Sequence, residues 1–151
     1  SYTYQTNAFG TSNQYHKQLT ATNELNKTTN YSYDSVGRLV RTEDAEGVSS
    51  SLAYNSTTGL VDATYDDQNV QQVAYTYDAY RRVIAVTNVN SQTVTYGYDA
   101  NGNVETVTDA NGKTTTYTND ALGRVTQTTL PKQLPSGSAV VIGTADHDAK
   151  G

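Results

Sequence analysis

The chain has no cysteine, no tryptophan and no methionine, and only two prolines in 151 residues. Without thiols it forms no disulfide, carries no thiolate nucleophile and offers no cysteine-ligated zinc site. That absence leaves the compartment open. Long apolar runs are missing too: the four residues Ala139 to Ile142, a length no other run exceeds, fall far short of the ~20 residues that a membrane-spanning helix needs. Positive charge is scarce, with 10 Lys and Arg against 15 Asp and Glu and a net charge of -5. The basic residues are scattered, and Arg81-Arg82 is the one adjacent pair. A phosphate backbone needs clustered cations, so neither nucleic acid nor an anionic membrane is an expected partner. The opening residues, Ser1 to Tyr4, have neither the basic nor the apolar region of a signal peptide. They begin inside a repeat, and the expectation is a fragment of a longer chain whose export signal lies elsewhere.

What the chain has is tyrosine: 13 of them, beside a single phenylalanine. Tyrosine and threonine suit a pleated, half-buried surface, so the composition leans towards strands. Tyr-x-Tyr pairs stand at Tyr2/Tyr4, Tyr31/Tyr33, Tyr75/Tyr77 and Tyr96/Tyr98, with near-matches at Leu52/Tyr54 and Tyr117/Asn119. From Tyr33 the second member recurs at Tyr54, Tyr77, Tyr98 and Asn119, in steps of 21, 23, 21 and 21. A fixed period of this length is the mark of a repeat architecture.

Each period carries two turn signals. Quartets of the form Asp-x-x-Gly follow the tyrosine pairs at Asp34–Gly37, Asp99–Gly102 and Asp120–Gly123, and fall midway at Asp44–Gly47 and Asp109–Gly112. An aspartate that leads a turn accepts hydrogen bonds from the turn's own amides, and the glycine that ends it tolerates positive φ. Weaker versions occupy the same phase at Asn23–Asn26, Asn55–Gly59, Asp66–Asn69, Asp78–Arg81 and Asn88–Ser91. Turns this close leave strands of six or seven residues, about ten in all. On the return strand, Leu60, Val83 and Val104 are each followed three residues later by Ala63, Val86 and Val107. A step of three breaks strict alternation and predicts a bulge or sharp twist. The fold class is therefore all-β, an antiparallel meander of hairpins with a unit of about 21 residues.

Tyr31-Ser32-Tyr33-Asp34-Ser35-Val36-Gly37-Arg38-Leu39 resembles the signature of RHS or YD repeats. It recurs as Tyr96 to Val104, with Thr108 to Gly112 behind it, and as Tyr117 to Val125. The resemblance spans residues 23–129, with a degenerate first repeat at 1–22. A loop-rich tail follows at 130–151, with a short strand at 139–142. Members of that family include bacterial polymorphic toxins, the shell-forming components of insecticidal toxin complexes, wall-associated exoproteins and teneurins. The resemblance implies a sheet that spirals into a shell, a secreted or surface location, and an effector domain enclosed or presented by the wall. Its implied partners are further repeats of the same chain, that effector, or neighbouring copies joined through sheet edges.

Candidate chemistry is sparse, and neither enzyme activity nor a cofactor is expected. Asp146-His147-Asp148 and the isolated His16 read as solvated loop residues, because neighbours on an extended chain point apart. Asp99 to Asn103 superficially resembles a calcium loop, but Gly102 stands fourth and Ala110 takes the place of the bidentate Glu. The candidate site residues are the repeat tyrosines Tyr31, Tyr33, Tyr54, Tyr75, Tyr77, Tyr96, Tyr98 and Tyr117. The turn residues Asp34, Gly37, Asp44, Gly47, Asp99, Gly102, Asp109, Gly112, Asp120 and Gly123 accompany them. Two roles are open to those rings. They hold hairpins together inside a wall, or they form an aromatic face that binds glycans or proteins in an adhesion module.

Overall fold

The structure, a computed structural model, describes residues 1–4, 18–131 and 140–144; His16, 132–139 and 145–151, with Asp146, His147 and Asp148, lie outside them. Every regular element among the described residues is a strand: β1 (Tyr2–Tyr4), β2 (Gln18–Thr22), β3 (Thr28–Tyr33), β4 (Leu39–Glu43), β5 (Ser49–Tyr54), β6 (Val61–Tyr65), β7 (Gln71–Tyr77), β8 (Val83–Asn88), β9 (Thr93–Tyr98), β10 (Val104–Thr108), β11 (Thr114–Asn119), β12 (Val125–Leu130) and β13 (Val140–Thr144). Thirteen strands stand among the described residues, against about ten expected of the repeat. No helix among the described residues is long and apolar enough to cross a membrane.

The chain divides into two compact units, Ser1–Ala74 and Tyr75–Gly151. In the first, β1 to β6 and the start of β7 pair antiparallel in chain order. In the second, β8 to β13 do the same. This is an antiparallel meander, as the turn spacing predicts.

The turns carry the regularity. Four non-glycine residues (Asn26, Asn69, Arg81, Ser91) and six glycines (Gly37, Gly47, Gly59, Gly102, Gly112, Gly123) take positive φ. Each closes one of the ten turns led by Asp or Asn. The leading side chain accepts two backbone amides every time. Asp34 Oδ1, for instance, takes Val36 N–H at 3.1 Å and Arg38 N–H at 2.8 Å. Asp109 Oδ1 takes Asn111 and Lys113, both at 2.9 Å. Asparagine leads equally well: Asn88 Oδ1 holds Asn90 and Gln92 at 3.0 Å. The positive-φ position accepts Arg81 because the leading side chain and the turn's own hydrogen bond, Arg81 N–H to Asp78 O at 3.0 Å, fix the loop.

The step of three on the return strand has its cause in a bulge. Tyr33 opposes Leu39 while Ser32 opposes Arg41, which leaves Val40 as the extra residue. The same shift leaves Asp62 extra in β6, Glu105 in β10 and Thr126 in β12. The residue inserted on each of these return strands returns the apolar positions to the tyrosine side.

Opposed residues share a face, so the register sorts the chemistry. On one face of the second unit lie Val86, Val94, Tyr96, Val107, Thr115 and Tyr117. On the other lie Ala85, Thr95, Thr108, Thr114, Gly97, Thr106, Thr116 and Thr129. Threonine hydroxyls pair across strands there, Thr87 with Thr93 and Thr108 with Thr114, both at 2.8 Å. Gly97 belongs to this crowded face, since a Cβ on it would stand 2.3 Å from Thr106 Oγ1. The sheet builds little core: among the described residues only Ala63, at 4% exposure, and Ser49, at 9%, are buried.

Candidate functional site

The eight repeat tyrosines are all half-buried. Strand alternation puts both members of a pair on one face, and Tyr75 and Tyr77 stack with ring centroids 6.4 Å apart. The contact that joins one repeat to the next is of another kind. Tyr98 O–H donates to Val83 O at 2.7 Å, and the Arg82 guanidinium lies 4.2 Å from the Tyr98 ring centre. Arg82 is held in turn by Asp78, Nε to Oδ2 at 2.7 Å. The first unit repeats the arrangement. Tyr54 O–H donates to Leu39 O at 2.7 Å, Arg38 sits 4.3 Å over the Tyr54 ring, and Arg38 Nε reaches Asp34 Oδ2 at 2.7 Å. A cation held over a ring in this way adds about 0.5–1 kcal/mol at a partly exposed site.

At the Asp99 turn the same places hold amides. Asn103 Nδ2 donates to Asp99 Oδ2 at 3.1 Å, and Asn119 Nδ2 donates to Val104 O at 3.0 Å. The carbonyl lies fifteen residues back in all three junctions. Asp120 with Arg124, Nε to Oδ2 at 2.7 Å, forms the next carboxylate–guanidinium pair.

These carboxylates titrate below the usual range. For Asp34 and Asp78 burial pushes the pKa up, but hydrogen bonds from the amide and guanidinium of Arg38 and Arg82 outweigh it. Asp99 is lowered first by the Asn103 side chain, then by its amide. For Asp120 the Arg124 amide is the main cause. The Asp99 carboxylate is thus engaged by Asn101, Asn103 and Asn119, which is the chemistry of a hairpin turn. Among the described residues no three of His, Cys, Asp and Glu gather where a metal ion could be held.

The tyrosine and turn residues are therefore brought into one repeating system. Sequence reasoning missed Arg38, Arg82, Asn103 and Asn119, which lock successive repeats. The signal was present in the constant interval between each cation or amide and its cross-strand partner.

A sheet of Asx-led hairpins, bulged on its return strands and locked between periods by the residue after the turn, is a β-hairpin repeat protein. The RHS Repeat family pattern matches residues 82–113 and again 98–134. Residues 82–134 thus carry the RHS-repeat pattern. Similar solved structures include a TcdB2-TccC3-Cdc42 crystal structure, at 20% identity, a TM-score of 0.40, 69% of this chain and 7% of that one. A Photorhabdus luminescens Tc holotoxin pore gives 20%, 0.39, 69% and 7%. TcdB2-TccC3 without its hypervariable C-terminal region gives 20%, 0.39, 80% and 8%. The chain spans well under a tenth of the length of these structures. No curated protein matches it.

Proposed function

We propose that this chain is a stretch of wall in a secreted or surface-displayed repeat shell, and that the wall encloses or presents an effector domain. The carrying observation is an RHS-repeat sheet with almost nothing buried: Ala63 and Ser49 alone among the described residues. Repeat sheets gain burial by stacking on further repeats or on whatever they surround. The role is mechanical, and no residue is assigned to catalysis. Tyrosines tied by hydroxyl and ring to the preceding repeat serve as joints, which favours a wall over a glycan-binding face.

Limited proteolysis of the full polypeptide that carries this segment tests the reading. A domain beyond the repeats should resist cleavage until the wall is opened by denaturant. Cleavage of that domain at the rate of its isolated form would refute enclosure. Saturable shifts of the tyrosine ring signals on a glycan panel would favour the adhesion reading instead.

A further inference from the structure

Two of the turns are the same tetrapeptide. Asp-Ala-Asn-Gly stands at Asp99–Gly102 and again at Asp109–Gly112, and these hold the two Asn-Gly pairs of the chain. Asparagine is a thermally labile residue, and most so before glycine. The backbone nitrogen of the next residue attacks the Asn Cγ, and glycine has no side chain to obstruct the approach. The new C–N bond closes a succinimide and ammonia leaves. Water then opens the ring at either carbonyl, giving aspartate or isoaspartate.

In the folded chain both attacking nitrogens are engaged. Gly102 N–H donates to Asp99 O at 3.0 Å, and Gly112 N–H donates to Asp109 O at 2.9 Å. Both glycines hold positive φ, 89° and 76°, and both asparagines are exposed. Each nitrogen must leave its carbonyl and lose its proton before it attacks, so the reaction passes through local opening of the turn. Opening costs least where few contacts hold a segment.

The two turns differ in what holds them. Asp99 Oδ1 takes the backbone amides of Asn101 and Asn103, both at 2.9 Å. Its Oδ2 takes the Asn103 side chain at 3.1 Å and is reached by Asn119, from the following repeat, at 3.5 Å. The preceding turn backs the same loop. Asn101 and Gly102 line one hollow with Tyr80 and Arg82, and a Cβ on Gly102 would stand 3.6 Å from Arg82 Nη1. Among the described residues the Asp109 carboxylate takes only its own turn's amides, those of Asn111 and Lys113 at 2.9 Å. Every residue from Asp109 to Lys113 is exposed. A Cβ on Gly112 would meet nothing within 4 Å.

We infer that Asn111 is a site of spontaneous deamidation and isomerisation in the folded chain, and that Asn101, in the same tetrapeptide, is protected by the turns and side chains packed around it. The reaction adds a negative charge to one turn. In its isoaspartate form it also adds a methylene to the backbone between Asp109 and Gly112, which disturbs the hydrogen bond that closes the turn. It needs no ligand or effector, and so stands apart from the wall reading.

The test incubates the polypeptide at mildly alkaline pH and follows each asparagine by peptide mapping, with fragmentation that separates aspartate from isoaspartate. In the folded chain Asn111 should convert about tenfold or more faster than Asn101, the equivalent of about 1.4 kcal/mol between the two opening equilibria. In urea the two rates should converge, because the tetrapeptides are identical. Asn103→Ala with Asn119→Ala removes the side-chain ties to Asp99 and leaves the turn's own amides in place. In that variant, folded by circular dichroism, Asn101 should accelerate several-fold while Asn111 keeps its rate. Equal rates in the folded chain overturn the proposal, as does an Asn111 that stays intact while the urea-unfolded chain converts. A ratio that persists in urea belongs to the residues after glycine, Asn103 and Lys113, and overturns it too. An unchanged Asn101 rate in the folded variant overturns the protection. Should the variant not fold, the folded and urea rates of the unsubstituted chain still decide.

Discussion

Two successive junctions of the second unit reach the same backbone group by different means. At the first, Tyr98 extends a phenol to Val83 O with Arg82 stacked over its ring. At the second, Asn119 extends an amide to Val104 O, and Asn103 stands in the arginine's place. The hydrogen bond is kept while the volume is not. The repeat therefore requires a donor at this position, and ring and cation are additions to it. Gly102 and Gly123 show how closely the turns nest in both versions. A Cβ on Gly102 would meet Arg82 at 3.6 Å, and one on Gly123 would meet Asn103 Oδ1 at 2.7 Å.

The comparison breaks most visibly under truncation. Tyr98→Ala loses a half-buried ring and its hydrogen bond, and should cost about 2–3 kcal/mol. Asn119→Ala loses no ring, only its amide hydrogen bonding to Val104 O and Asp99, about 1 kcal/mol. Urea unfolding of the two variants measures the difference, and equal losses would mean that the ring contributes nothing. Tyr98→Phe isolates the hydroxyl: a loss of about 1 kcal/mol, matched by Tyr54→Phe because the two bonds have the same length. In the opposite direction, Asn103→Arg with Asn119→Tyr should raise stability by about 0.5–1 kcal/mol, read as a higher urea midpoint.

The smallest effect per site is electrostatic, because these carboxylates are partly exposed and screened. Asp34, Asp78, Asp99 and Asp120 are held below the ordinary carboxylate range, so the unfolded chain binds more protons than the folded one near that range. Their stabilisation is then present in full above about pH 5 and is lost as pH falls through the lower folded values. The thermal midpoint should be flat from neutral pH to about 5 and decline below 4. Asp99→Asn should shallow that decline.

Local chemistry was legible in the sequence, and cross-strand chemistry was not. Asp-x-x-Gly announces a turn because donor and acceptor lie within four residues, and the step from Val104 to Val107 announced the bulge. The Arg82–Tyr98 lock depends on the register of a whole hairpin, with its two members at opposite ends of the β8–β9 segment. Spacing alone does not say which side chain will stand over which ring. The smaller volume at Asn119 was hidden for a related reason. A tyrosine replaced by asparagine reads as a weak repeat until its neighbours fix what the missing ring would have filled.

Within each unit every paired strand is adjacent in sequence to its partner. Such a chain has low contact order, and each loop closes over a short span at small entropic cost. Each hairpin can therefore form as soon as its own residues are in place. No lap has to wait for a distant part of the sequence to arrive.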